Sequence, residues 1–170
     1  EALGLEDQAI DLDISAALTD ASETLSDITI SGLNGATLNA GTVNEDGSVT
    51  LTAAELDGLQ ITPAANFSGD LTLSVSVTST DGESEATTTK DLTVSIAGVA
   101  DAPVLTVAEA LGLEDQAIDL DISAALTDDS ETLSDITISG LNGATLNAGT
   151  VNEDGSVTLT AAELDGLQIT

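Results

Sequence analysis

Residues 71–78 read Leu-Thr-Leu-Ser-Val-Ser-Val-Thr, and this stretch decides the fold. Aliphatic side chains alternate with hydroxyl side chains along its whole length. That period of two is typical of a β-strand with one buried face and one solvated face. Val and Thr also fit a pleated surface well, because their branched side chains pack closely there. The stretch therefore predicts a long strand.

The same alternation continues on both sides of that strand. It predicts further strands at Ile10–Ile14, Ser26–Ile30, Ser48–Thr52 and Leu92–Ile96. The dipeptides between the runs supply the positive φ that tight turns require, and they are Asn34-Gly35, Asp46-Gly47, Asp57-Gly58 and Asp81-Gly82. We expect a short helical turn at Ala53–Leu56 and a core position for Phe67. About seven strands in roughly 100 residues predict an all-β fold, an immunoglobulin-like antiparallel β-sandwich.

Residues 1–62 recur as residues 109–170 with a single difference, Ala21 against Asp129. The offset has the size of an independent domain rather than of a solenoid unit. We therefore expect sandwich repeats in tandem. Residues 1–103 form repeat one, which lacks its first strand segment. Residues 104–170 form the first part of an almost identical repeat two, which lacks the counterpart of Pro63–Ala102.

The chain carries 31 acidic residues against one basic residue, Lys90, and its formal net charge is −30. Phosphate binding requires Lys and Arg, so this composition excludes a nucleic-acid partner and argues against contact with an anionic membrane. The chain has no His or Cys to serve as a base or nucleophile, and we predict that it is not an enzyme. Such a charge fits either a solvated acidic surface or carboxylates that bind divalent cations.

The positions of the acidic residues favour cation binding. Consecutive antiparallel strands alternate in direction, which brings clusters from distant parts of the sequence to the domain ends. We predict a junction where Glu6, Asp7 and Asp70 of repeat one and Asp101 of the linker meet Asp128, Ser130 and Glu131 of repeat two. The remaining candidate ligands lie at the other ends of the two repeats, and they are Asp20, Ser22, Glu23, Asp81, Glu114 and Asp115. Oxygen ligands without nitrogen or sulfur indicate Ca²⁺.

Several acidic segments have an alternative that needs no metal ion. Glu6-Asp7 also fits solvated residues that precede a strand. The segment Asp20-Ala21-Ser22-Glu23 also fits an Asx-type turn or a helix cap. For Asp46-Gly47 we favour a hairpin turn over a metal loop.

Together these segments resemble the cadherin-like, immunoglobulin-like extender repeats of large bacterial RTX adhesins. The residues that carry the resemblance are Leu5–Asp7, Leu18–Leu25, Pro63–Asp70 and Val99–Pro103. The resemblance implies type I secretion, a location on the bacterial cell surface, and calcium ions that stiffen a stalk. Such a stalk holds a ligand-binding tip away from the cell. The linker here is leaner than a cadherin linker, with Asp101 as its one acidic residue.

Other binding functions and partners stay open. A homophilic or glycan-binding adhesion module is the alternative function. The expected partners are neighbouring identical repeats in the same chain. Because residues 104–170 lack two strands that would complete a sandwich, we also expect possible strand exchange between chains.

Overall fold

The computed structural model describes residues 1–170, which form two compact units, Glu1–Val99 and Ala100–Thr170. Strands hold 41% of the residues and helical segments 5%, so the prediction of an all-β protein is confirmed. No helix in it has the length and apolar character needed to cross a membrane.

The first unit contains ten strands and one short 3₁₀ helix. In chain order these are β1 Ala2–Leu5, β2 Ile10–Asp11, β3 Thr24–Leu25, β4 Ile28–Ser31, β5 Thr37–Leu38, β6 Thr42–Val43, β7 Val49–Leu51, the 3₁₀ helix Ala53–Leu56, β8 Gln60–Thr62, β9 Gly69–Asp81 and β10 Ser84–Ala97.

Two sheets form the first unit. The larger has the order β1-β10-β9-β4-β7-β6, with β3 also pairing with β9, and the smaller has the order β2-β8-β5. The hairpin β9/β10 pairs from Asp81 opposite Ser84 to Gly69 opposite Ile96. Strand β1 runs parallel to β10, whereas every other pairing is antiparallel.

Aliphatic side chains from both sheets form the core of the first unit. Ile30, Ile61, Leu73 and Val94 are fully buried, and Phe67 packs partly buried against the same cluster. Leu73 and Val94 belong to the hairpin, so β9 and β10 supply an essential part of this core.

The second unit contains seven strands and one 3₁₀ helix. These are β11 Val104–Val107, β12 Ile118–Asp119, β13 Ile122–Ala125, β14 Ile136–Ile138, β15 Thr150–Val151, β16 Val157–Leu159, the 3₁₀ helix Ala161–Leu164 and β17 Gln168–Ile169. The pairs β11-β13 and β12-β17 and the triple β14-β16-β15 form three small sheets. Four side chains form its buried core, namely Val157, Leu159, Leu164 and Leu167.

The local predictions are confirmed where they concern turns. Asn34 and Gly35 both have positive φ, 47° and 92°, and Asp81-Gly82 closes the hairpin β9/β10. The predicted helical turn at Ala53–Leu56 is present.

The predicted strand Ile10–Ile14 is wrong in its extent, because β2 ends at Asp11. The same sequence in the second unit gives β12 and then β13, and β13 pairs with β11. No strand accompanies Ile14–Ala17 in the first unit. The missing partner explains why residues 14–17 form no strand. The break after Asp11 has another origin, because the same break follows Asp119 in the second unit, where the partner is present.

Candidate metal centres

Glu6 follows β1 directly and is buried at the end of the larger sheet. Leu5 pairs with Ala97, and the Glu6 amide donates to the Ala97 carbonyl at 3.0 Å. The carboxylate oxygen Oε1 accepts a hydrogen bond from the Val99 amide at 2.6 Å. The Glu6 residue is only 4% exposed, and its Oε2 is buried without a hydrogen-bond partner.

An unpartnered buried carboxylate oxygen is costly, because it loses hydration and gains nothing in exchange. The chain's one basic side chain, Lys90, lies opposite Val75 within the hairpin, whereas Glu6 lies beyond its end. Val99 supplies one donor to one oxygen. The Oε2 atom of Glu6 is therefore a candidate ligand for a small cation.

The neighbouring loop carries two residues with left-handed backbone. Asp7 has φ 57° and Asn66 has φ 58°, and the Asn66 amide donates to Asp7 Oδ1 at 3.1 Å. Such a conformation costs energy for a non-glycine residue and occurs often at functional sites. The bond joins the loop after β1 to the segment before β9.

Asp70 lies at the same end of the larger sheet, near the start of β9. It stands opposite Ser95 in β10, and its Oδ1 accepts a hydrogen bond from the Ser95 hydroxyl at 2.7 Å. Thus one end of the first unit holds Glu6, Asp7 and Asp70.

The remaining candidates of the first unit lie at the opposite end of β9. Asp20 Oδ1 accepts hydrogen bonds from the Ser22 amide at 2.9 Å and the Ser22 hydroxyl at 3.0 Å. The hydrogen bond from the Ser22 amide, and to a lesser extent the one from the Ser22 hydroxyl, lowers the pKa of Asp20 below its ordinary value. This is the Asx-type turn that the sequence offered as an alternative. Glu23 precedes β3, whose Thr24 pairs with Thr80.

In the second unit the first residue of the corresponding turn is buried, and the turn contacts the linker. Asp128 is 3% exposed, and its two oxygens accept from the Ser130 amide at 2.7 Å and the Ser130 hydroxyl at 2.8 Å. Glu131 Oε1 accepts a hydrogen bond from the Asp101 amide at 2.5 Å. The structure thus brings together Asp101, Asp128, Ser130 and Glu131.

Glu114 and Asp115, the counterparts of Glu6 and Asp7, are exposed. Asp115 keeps the left-handed backbone, with φ 62°, but the second unit has no strand equivalent to β10 to cover Glu114. Asp81 is also exposed, at the tip of the hairpin.

No three or more acidic side chains converge in the way that would hold a metal ion. The candidates form smaller groups, one at an end of the first unit and one in the second unit. The predicted sharing of ions between the two repeats stays a prediction.

Sequence reasoning missed the partner of Glu6, which is the backbone amide of Val99. A backbone donor leaves no trace in residue type, so no sequence pattern could have revealed it. Asp46-Gly47 forms the favoured hairpin turn. Asp46 Oδ1 accepts from the Ser48 hydroxyl at 2.6 Å and the Ser48 amide at 3.0 Å, and these bonds lower the pKa of Asp46.

No protein-family model matches the chain, and no curated protein sequence matches it either.

Proposed function

We propose that the chain is a pair of immunoglobulin-like spacer domains from an extracellular adhesin, each stabilised by bound Ca²⁺. The strand order supports the immunoglobulin-like assignment. The order β10-β9-β4-β7 matches strands G, F, C and C′ of that fold, and the pair β2-β8 matches B and E. The strand β5 precedes β7 in the chain and therefore does not match strand D. The near-identity of residues 1–62 and 109–170 favours a role in which length matters more than individual surfaces.

The buried carboxylate of Glu6 is the observation that carries the calcium proposal. Its Oε2 is buried and unpartnered in a chain with a formal net charge of −30. A divalent cation at this oxygen offsets the cost of desolvating the carboxylate, and it also reduces the repulsion among the neighbouring acidic residues.

The group in the second unit supports the same proposal. Asp128 is buried, and Glu131 Oε1 accepts a hydrogen bond from the Asp101 amide, so two carboxylates of one turn lie beside the linker. Calcium accepts six to eight oxygens at about 2.3–2.6 Å, from carboxylates, carbonyls and waters together. These side chains would supply part of such a shell, with water completing it.

Calcium titration by calorimetry tests this proposal with an internal control. Glu6→Gln and Glu114→Gln remove the same charge from the same local sequence, but Glu6 is buried and Glu114 exposed. We expect the wild type and Glu114→Gln to bind the same number of ions, with Kd near 10⁻⁴–10⁻³ M. Glu6→Gln should lose one binding event. Equal titrations for both variants would reject the site, and no calcium binding by the wild type would reject the proposed function.

A further inference from the structure

Asparagine followed by glycine occurs at the same point of both units, as Asn34-Gly35 and Asn142-Gly143. In the first unit the pair occupies the two central positions of a turn, which the Ala36 amide closes by donating to the Leu33 carbonyl at 2.8 Å. Positive φ at both central residues, 47° and 92°, is typical of a type I′ turn. The corresponding hydrogen bond in the second unit measures 2.9 Å.

The side chain of Asn34 is exposed and makes no hydrogen bond, and the Gly35 amide donates to no acceptor. The pair in the second unit is the same in both respects. Two other asparagines of the first unit are held in place. Asn39 makes two hydrogen bonds to the backbone, and Asn44 makes two to hydroxyl groups. Alanine and glutamate follow them in the chain.

The pair Asn34-Gly35 has the groups for an intramolecular reaction. The backbone nitrogen of Gly35 attacks Cγ of Asn34 and forms a C–N bond, while the side-chain nitrogen takes up the amide proton and leaves as ammonia. Water then opens the cyclic imide at either carbonyl, which gives aspartate or isoaspartate. The net change is the uptake of one water and the release of one ammonia. Glycine has no Cβ to hinder the attack, and the reacting groups are held close together by the chain itself.

The attack requires rotation about the Cα–C bond of Asn34, which opens the turn. This opening breaks the one hydrogen bond between Ala36 and Leu33 and no sheet pairing, because residues 32–36 belong to no strand. Local openings of this kind cost far less free energy than unfolding of the whole unit. The folded chain can therefore react.

The residues on either side of the pair connect this reaction to the core. Leu33 is 7% exposed and Ala36 is 8% exposed, and both belong to the core of the first unit. The turn also leads from β4 in the larger sheet to β5 in the smaller sheet. Isoaspartate inserts one methylene group into the main chain between Leu33 and Ala36. The lengthened turn displaces one of these side chains from its packed position.

We propose that Asn34-Gly35 and Asn142-Gly143 are sites of spontaneous deamidation, and that isoaspartate at residue 34 loosens the core of the first unit. Each conversion also adds one negative charge to a chain whose formal net charge is −30. Water is the only co-reactant, and neither step involves a metal ion.

Peptide mapping by mass spectrometry measures the conversion residue by residue in the folded chain, after storage in mildly alkaline buffer. Asn39 and Asn44 are controls within the same molecule. We expect Asn34 and Asn142 to convert faster than either control by roughly tenfold or more, with isoaspartate among the products. No conversion at Asn34, or equal rates at Asn34 and Asn44, would overturn the proposal.

The effect on the core is measured in an Asn142→Gln background, which leaves residue 34 as the one Asn-Gly site. Chains that carry isoaspartate at residue 34 are compared with Asn34→Asp, which has the same charge and a main chain of normal length. The isoaspartate form should unfold at a lower urea concentration. Repair of isoaspartate to aspartate by an isoaspartyl methyltransferase should reverse this shift. Identical unfolding curves for the isoaspartate form and Asn34→Asp would overturn the proposed effect on the core.

Discussion

Residues 1–62 and 109–170 are nearly the same sequence in two surroundings, and they do not adopt the same structure. Ile30 is fully buried, whereas its counterpart Ile138 is only partly buried. Strand β1 has no counterpart at residues 110–113, because no strand equivalent to β10 lies beside them. Conversely, residues 14–17 form no strand, whereas the identical residues 122–125 form β13 against β11. Partner segments, rather than local sequence, decide these differences.

One part of the repeat is independent of those partners. Val49, Leu51, Leu56 and Leu59 are buried in the first unit, and their counterparts Val157, Leu159, Leu164 and Leu167 are buried in the second. The capping box of the 3₁₀ helix is also the same, with Glu55 bonded to Thr52 and Glu163 bonded to Thr160. These residues lie close together in sequence, so they form the same local packing unit in both surroundings.

The largest expected effect comes from truncating Ile30, a core side chain that is more deeply buried than its counterpart Ile138. Ile30→Ala should destabilise the first unit by about 2–5 kcal/mol, since it leaves a cavity among fully buried side chains. Ile138→Ala should cost the second unit roughly half as much, because that side chain is partly solvated. Native-state hydrogen exchange reports each unit separately. Equal losses of stability in the two units would contradict the conclusion that the hairpin β9/β10 supplies an essential part of the first unit's core.

The two Asp-x-Ser turns provide the next comparison. Asp128→Ala removes a buried carboxylate and leaves the Ser130 amide without its partner, which should cost about 1–3 kcal/mol. Asp20→Ala changes an exposed turn with the same hydrogen bonds, and its effect should be clearly smaller. Urea denaturation of the two variants measures the difference. A larger loss from Asp20→Ala would contradict the burial seen at Asp128.

The features that were predicted best from the sequence are turns, which depend on residues close together in the chain. The turn at Asn34-Gly35, the hairpin tip at Asp81-Gly82 and the helical turn at Ala53–Leu56 all follow from local backbone preference. The parallel pairing of β1 with β10 was not predicted from the sequence. The two strands lie about 90 residues apart, and Ala2–Leu5 shows no clear alternation of apolar and polar residues. The burial of Glu6 was missed for the same reason, since it depends on where the chain runs after β10.

One turn should respond to acid in the same way in both units, because the lowered pKa values of Asp46 and Asp154 arise from matching hydrogen bonds. Ser48 lowers the pKa of Asp46, and Ser156 lowers that of Asp154. A carboxyl whose pKa is lower in the folded state stabilises the fold above its ordinary pKa, near 3.9 for Asp. That contribution is lost as the pH falls from there through the lowered pKa.

Asp46→Asn and Asp154→Asn should therefore each flatten the acid limb of stability in their own unit by a similar, small amount. Thermal melts from pH 5 to pH 2.5, with hydrogen exchange to separate the units, measure this effect. A clear asymmetry between the two variants would contradict the claim that this turn is independent of the hairpin.

The most direct test of the calcium proposal is the sign of the stability change caused by Glu6→Gln. Without calcium, replacing the buried and unpartnered carboxylate by a neutral amide should stabilise the first unit, because it removes the cost of a buried charge. At saturating calcium the same substitution should destabilise it, because the variant loses a ligand and with it the free energy of binding. Unfolding curves of Glu6→Gln and wild type, in chelator and in calcium, give the two signs. A reversal is the predicted result, and the same sign in both conditions would contradict the account.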